Sequence, residues 1–143
     1  MLDHLTPSLL WKHFYNLTQL PHPSGHEEKV IAYLEKFASE QSLSCRKDAI
    51  GNILITKPAT PGFENSPTVV LQGHVAMVAE KNQGTVHDFF TDPLKIRIDG
   101  DYVKATDTTL GADNGIGAAA ALAVLEDKTL QHGTIEALFT VDE

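Results

Sequence analysis

A histidine stands at the end of the apolar run in TVVLQGH, at the point where a buried strand would leave a sheet. Open α/β sheets bind their ligands outside the carboxyl ends of the parallel strands. His74 is therefore placed where an imidazole can meet a ligand or a metal ion. Two residues later the sequence has Ala76, whose side chain carries no chemistry of its own.

Acidic side chains occupy two further positions of this kind. Asp113 lies where the loop TTLGADNG enters a helical segment, and Asp142 and Glu143 directly follow the apolar segment IEALFTV. Imidazole and carboxylate groups are the ligand set for zinc or a similar divalent ion. A carboxylate can also bridge two metal ions about 3.5–4 Å apart, as two-metal hydrolases require. The residue types therefore indicate a metal site.

Each of these residues also has a structural interpretation. A single histidine such as His74 at a strand end is more often a hydrogen-bonded structural residue than a metal ligand. Asp113 could cap the helix at Asn114–Gly115. Asp142 and Glu143 could belong to a solvated loop. The residue types alone leave these alternatives open.

The glycines of the same loop allow a nucleotide-binding interpretation. Gly111, Gly115 and Gly117 resemble a phosphate cradle. Their spacing differs from the G-x-G-x-x-G pattern, and no strong strand precedes them, so nucleotide binding is the weakest alternative.

Composition indicates an ordinary globular chain. Its 143 residues, 42% hydrophobic and 21% charged, suffice for one domain. The net charge of -8 leaves no basic stripe for phosphates and argues against a nucleic-acid partner. The single cysteine, Cys45, cannot form an internal disulfide, and no segment is typical of a signal peptide or a membrane span. We therefore expect a cytoplasmic protein without a membrane partner.

Hydrophobic periodicity predicts three helices. The first follows Thr6–Pro7 and runs to about Leu20. The second begins at a capping box formed by Ser24 and Glu27. Its buried stripe consists of Val30, Leu34 and Phe37. The third, ADNGIGAAAALAVLED, has one side of very small residues and can pack closely on a sheet.

Alternating and apolar segments between the helices predict strands. SLSCRKD and NILITKP form one hairpin around Gly51–Asn52, and LKIRIDGDYVKA forms another around Asp99–Gly100. TVVLQGH is typical of a strand covered on both faces, and TIEALFTVDE is expected to leave an open, association-prone edge. We expect an α/β fold, a three-layer sandwich with a mixed, mostly parallel sheet. The stop at Glu143 directly after a strand suggests the amino-terminal part of a longer protein.

Several motifs resemble those of the aminoacyl-histidine dipeptidases, also known as Xaa-His dipeptidases or bacterial carnosinases. This group lies within the zinc metallopeptidase family of aminoacylases and glutamate carboxypeptidases. The motifs are LPHPSGHEEKV, DAIGNILITKPAT, LQGHVAMVAEKN, ALFTVDE and the branch-specific stretch GTVHDFFTDPLKIRIDGDYVKATDTTLGADNGIG. The resemblance implies that residues 1–143 are the amino-terminal part of a metallopeptidase catalytic domain. The rest of that domain and a lid or dimerisation domain are absent.

The resemblance implies a two-zinc site that hydrolyses dipeptides, with a carnosine-like Xaa-His dipeptide as the expected substrate. His74 corresponds to a ligand of one metal and Asp113 to the carboxylate that bridges both. Glu143 corresponds to the glutamate that acts as general base on the attacking water. Cobalt or manganese would accept the same ligands as zinc. The full-length parent is expected to be a homodimer.

The sequence departs from the family at two places. The family has an aspartate where this chain has Ala76, and that aspartate holds the metal-binding imidazole in orientation. Loss of such a partner typically costs about 10–100-fold in metal affinity or activity. The family's ligands that follow Glu143 are absent, so we expect the chain alone to be inactive. The alternative is a catalytically silent homologue with a binding or assembly role, which Ala76 favours and the intact His74, Asp113 and Glu143 oppose.

Overall fold

The computed structural model describes all 143 residues and contains three helices and six strands. The helices are α1 (Ser8–Thr18), α2 (Glu28–Glu40) and α3 (Ala112–Glu126). The strands are β1 (Ser44–Lys47), β2 (Ile53–Lys57), β3 (Val69–His74), β4 (Ile96–Asp99), β5 (Tyr102–Ala105) and β6 (Ile135–Thr140). All of these elements lie where the sequence pattern predicts them. None of the helices combines the length and the apolar character that crossing a bilayer requires.

Four strands form one sheet in the order β1-β2-β6-β3, and β4 and β5 form a separate hairpin. The β3–β6 pair is parallel, whereas β1–β2 and β2–β6 are antiparallel. The predicted α/β class and the mixed sheet are confirmed, although antiparallel pairings outnumber the parallel one here. The prediction that β6 has an open edge is wrong, because β2 and β3 pair with its two sides. Hydrophobicity identifies β6 as a strand but does not identify its neighbours.

α2 and α3 pack against one face of this sheet, and α1 packs on α3. That face carries a row of fully buried residues, Ile53, Ile55, Ala137 and Phe139, in one core with side chains of all three helices. Lys57 points to the same side, where its Nζ donates to the carbonyl oxygen of Val124 in α3 at 3.0 Å. The opposite face carries the half-buried Leu54 and Leu138 outside that core. The chain therefore forms two layers of the expected three-layer sandwich.

The prediction that β3 is covered on both faces is wrong. Only β6 pairs with β3, and the side chains of Val69 and Val70 are 52% and 55% exposed. β3 is therefore an edge strand. A continuous apolar run shows that a strand is hydrophobic, but it does not show which elements lie beside that strand.

The capping box expected at Ser24 and Glu27 does not form. No side chain caps α2, which begins at Glu28. Ser24 and Glu27 instead form hydrogen bonds with backbone groups more than a hundred residues away in the sequence. Likewise, Pro7 rather than Thr6 occupies the cap position of α1, without a side-chain hydrogen bond. For Ser24 and Glu27, long-range partners have replaced the local ones that the sequence pattern predicts.

A buried polar group joins α1 to α3. His13 is 2% exposed, and its Nε2 lies 2.6 Å from Oε2 of Glu126. Since a carboxylate only accepts, Nε2 carries the proton, and Nδ1 accepts from the Tyr33 hydroxyl at 2.9 Å. Burial lowers the pKa of His13, and it outweighs the opposing effect of Glu126. His13 is therefore a neutral link between the helices.

We expect the free energy of unfolding to fall as the pH drops below about 6.5, the ordinary pKa of histidine. Because the pKa of His13 is lowered in the folded chain, the unfolded chain binds more protons in this range. His22, whose pKa is also lowered by burial, acts in the same direction. His13→Gln should reduce this pH dependence, measured by urea unfolding at several pH values. An unchanged dependence in His13→Gln would contradict this assignment.

We also expect the chain to self-associate through the free edge of β3, where backbone groups lack a strand partner and apolar side chains are exposed. The other edge, β1, carries Arg46 and Lys47, and charged side chains protect an edge from pairing. Val70→Lys should suppress the rise of light scattering with concentration. Val86→Lys, at a 94% exposed loop valine, is the control and should not. Equal scattering by the wild type and Val70→Lys would exclude this edge as the contact.

Candidate metal site

The parallel pair β3 and β6 places two candidate segments side by side. His74 is the last residue of β3 and pairs with Thr140, the last residue of β6. The N–H of Val75 then donates to the carbonyl oxygen of Thr140 at 2.8 Å, which continues the pairing beyond the strands. The segment that contains Asp142 and Glu143 therefore begins beside His74.

Asp113, at the start of α3, lies at the carboxyl end of β3. Its Oδ1 lies 3.0 Å from Nε2 of His74, although 39 residues separate the two in the sequence. The side chain of His74 is 19% exposed, and that of Asp113 is 99% exposed. A nitrogen and an oxygen donor this close can bind one metal ion together. The second oxygen of Asp113 remains open to solvent and accessible to another ion.

Asp113 does not cap α3. Its φ of -97° and ψ of 102° lie outside the helical range, and its peptide bond to Asn114 is cis. Asn114 takes the capping role, since its Oδ1 accepts the N–H of Gly117 at 3.1 Å. The Asp113 carboxylate instead faces Nε2 of His74. Asn114 was not predicted as a cap, although asparagine is a preferred residue at the start of a helix.

The side chain of Asn114 fills a space that two glycines leave open. A Cβ atom at Gly73 would lie 2.9 Å from Nδ2 of Asn114, and one at Gly117 would overlap with its Oδ1. Because neither position has a side chain, the start of α3 can approach β3 closely. This packing brings Asp113 within reach of His74.

The backbone of Ala76 supports the ring of His74. Ala76 is 2% exposed, and its carbonyl oxygen lies 2.8 Å from Nδ1 of His74. A carbonyl oxygen only accepts, so Nδ1 carries a proton, and Nε2 is the ring atom that faces Asp113. Metal-binding histidines generally donate the other ring N–H in this way. The side chain at position 76 lacks a carboxylate, but the main chain supplies an acceptor.

Glu143 and Asp142 are held through their backbones. The carbonyl oxygen of Glu143 accepts from Oγ of Ser24 at 2.8 Å, and the N–H of Asp142 donates to Glu27 at 2.8 Å. No group of three or more His, Cys, Asp or Glu side chains is arranged to hold a metal ion. The structure thus joins His74 to Asp113, and it does not join Glu143 to them in one cluster.

The charge at this edge is negative. Asp113, Asp142 and Glu143 form no ion pair with a lysine or an arginine. Carboxylates that have no lysine or arginine partner attract cations. The two side chains that meet here, an imidazole and a carboxylate, therefore fit a divalent metal ion.

An apolar cavity lies apart from this edge. It has a volume of about 470 Å³ and lies between α1, the start of α3 and the β4–β5 hairpin. Apolar side chains line most of it, among them Trp11, Phe14 and Val103, and it includes neither His74 nor Asp113. This cavity offers no ligand set for a metal ion.

No family model matches the chain. It is 52% identical over 142 residues to the cytosol non-specific dipeptidase of Escherichia coli (strain K12), covering 99% of this chain and 29% of that protein. The crystal structure of aminoacylhistidine dipeptidase from Vibrio alginolyticus matches with a TM-score of 0.97 at 51% identity, over 100% of this chain and 29% of that one. Aminopeptidase PepT from Bacillus cereus ATCC 10987 matches with a TM-score of 0.72 at 27% identity, over 93% and 36%. The resemblance to aminoacyl-histidine dipeptidases is confirmed, and the chain spans about 29% of the length of both dipeptidases.

We expect Ala76→Asp to raise the affinity for Zn²⁺ by about 10-fold or less, the low end of the usual range for such a residue. The reason is that the carbonyl oxygen of residue 76 already holds the His74 ring. Calorimetric titration with Zn²⁺ measures the affinities of the wild type and the variant. Ala76→Asn is the control, since it adds an acceptor of the same size without charge. A gain of about 100-fold would show that the carbonyl gives no effective support.

Proposed function

We propose that this chain is the amino-terminal part of the catalytic domain of a metal-dependent dipeptidase with two zinc ions in its site. His74 would be a ligand of one ion, Asp113 the carboxylate shared by both, and Glu143 the general base. The observation that carries the proposal is the 3.0 Å contact between His74 Nε2 and Asp113 Oδ1. The similarity to two dipeptidases supports the reaction class.

In this proposal the chain's own residues orient the site and move a proton. When bound, the metal ions would supply Lewis-acid chemistry, polarising the scissile carbonyl and lowering the pKa of the attacking water towards about 7. Glu143 takes the proton of that water and transfers it to the leaving amine. The hydrogen bond from Nδ1 of His74 to the carbonyl of Ala76 keeps the other ring nitrogen directed at Asp113.

The proposed substrate is a small dipeptide, with Xaa-His dipeptides such as β-alanyl-histidine as the preferred class. The name of the Vibrio relative refers to aminoacyl-histidine, and that of the E. coli relative to a non-specific dipeptidase of the cytosol. We propose the same cytosolic location and, for the full-length protein, a homodimer. Cobalt or manganese would fit the same nitrogen and oxygen donors as zinc.

A catalytically silent homologue with a binding or assembly role is the second candidate. Ala76 favours it, because the family has an aspartate at this position. The contact between His74 and the carbonyl oxygen of Ala76 weakens this argument, since the ring keeps an acceptor at 2.8 Å. The two candidates differ in one measurable property, the hydrolysis of a dipeptide by the complete protein.

Glu143→Gln should lower kcat of the complete protein that contains this chain by about 10²–10⁴-fold, because the variant cannot accept the proton. Hydrolysis of β-alanyl-histidine in the presence of Zn²⁺ measures the effect. Glu40→Gln, at an exposed glutamate of α2, is the matched control and should retain full activity. Full activity of Glu143→Gln would exclude Glu143 as the base.

Metal removal provides an independent test. A chelator should abolish hydrolysis by the complete protein, and added Zn²⁺ should restore it, because the proposed site needs the ions for the water and the carbonyl. The 143-residue chain alone should remain inactive with Zn²⁺, since it joins only His74 and Asp113. Brisk hydrolysis by the chain alone, or by the chelated protein, would contradict the proposal.

A further inference from the structure

Residues 22–27, here called the Ser24 turn, hold the segment that follows His74. The N–H of Ser24 donates to the carbonyl oxygen of Met77 at 3.1 Å, and the N–H of Met77 donates to that of His22 at 3.2 Å. Pro23 and Met77 form a parallel bridge between these backbones. Met77 lies three residues after His74, so the turn fixes the direction in which the chain leaves β3.

Glu27 holds the segment that follows β6. It is 6% exposed, and its Oε1 accepts the N–H of Gly25 at 3.0 Å and that of Asp142 at 2.8 Å. The second bond spans 115 residues of sequence. Asp142 has a φ of 59°, an uncommon conformation that the hydrogen bond from its N–H to Glu27 helps to hold.

Ser24 acts on the adjacent residue. Its Oγ lies 2.8 Å from the carbonyl oxygen of Glu143 and 3.3 Å from that of Met77. One side chain therefore contacts the segments beyond both β3 and β6. Glu27 fixes the N–H of Asp142, and Ser24 fixes the carbonyl oxygen of Glu143. These two groups lie on either side of the peptide bond that joins Asp142 to Glu143.

We infer that Glu27 and Ser24 are positioning residues that set where the carboxylate of Glu143 lies relative to His74 and Asp113. The inference rests on the proposed function, in which Glu143 is the general base. Neither residue belongs to the proposed metal or substrate contacts. A misplacement of a catalytic group by about 1 Å can cost about 100-fold in rate, so the loss of a tether should change catalysis more than it changes substrate binding.

The test compares four variants of the complete protein with Zn²⁺ and β-alanyl-histidine. Glu27→Ala should lower kcat by about 100-fold with little change in KM, and Ser24→Ala should lower it by a smaller factor. Glu27→Gln keeps an acceptor oxygen and should recover most of kcat. Glu28→Ala is the matched control, since Glu28 is the exposed neighbour of Glu27 and should leave kcat unchanged.

Amide hydrogen exchange of the 143-residue chain gives a readout that needs neither metal nor activity. The Asp142 N–H should be protected in the wild type and in Glu27→Gln and should exchange rapidly in Glu27→Ala. If Glu27→Ala fails to fold, Ser24→Ala decides the question, because Glu27→Gln is expected to behave like the wild type. Unchanged kcat in Ser24→Ala would then overturn the inference. Wild-type kcat in both Ser24→Ala and Glu27→Ala, or unchanged exchange of Asp142 in Glu27→Ala, would overturn the inference. A complete protein that cleaves no dipeptide would overturn the proposed function, and Asp142 exchange would then decide the inference alone.

Discussion

The parallel pairing of β3 with β6 determines where the candidate side chains lie. Two adjacent parallel strands have their carboxyl ends on the same side of the sheet. The chain that leaves the end of β3 must therefore run back to the side where the strands start before β6 can begin. α3 makes this return. Its first residues consequently lie near the end of β3, and its last residues lie near the start of β6. The contact between His74 and Asp113 follows from this path, although the two residues are far apart in the sequence.

The elements that depend on neighbouring residues could be predicted from the sequence. The β1–β2 hairpin turns at Gly51 and Asn52, where Asp48 accepts three successive backbone N–H groups, and the β4–β5 hairpin turns at Gly100. The position of His74 at a strand end and of Asp113 at a helix start follow from equally local patterns. The order of the strands, the exposure of β3 and the central place of β6 depend on pairings between distant segments. Hydrophobic periodicity contains no information on pairings between distant segments.

Two features of the site cannot be predicted from the pattern of side-chain types. The support of His74 comes from the main-chain oxygen of Ala76, and every residue type carries that oxygen. Ser24 and Glu27 match a capping box, yet their side chains contact residues 142–143 instead. In both cases the chemical group is known from the sequence, but its hydrogen-bond partner is determined by the tertiary fold. Asn114 is the converse case, because its capping role could have been predicted from its distance to Gly117.

The bonds from the Ser24 turn to residues 142–143 also have a consequence for the order of folding. α1, α2 and the β1–β2 hairpin involve local contacts and can form while the chain is still being synthesised. The bond between Ser24 and Glu143 spans 119 residues, so it closes only after β6 has left the ribosome. Until that moment one side of β2 is an unprotected strand edge next to Ile53 and Ile55. Unpaired strand edges make partly folded chains prone to aggregate, so the nascent chain carries this liability until its site assembles.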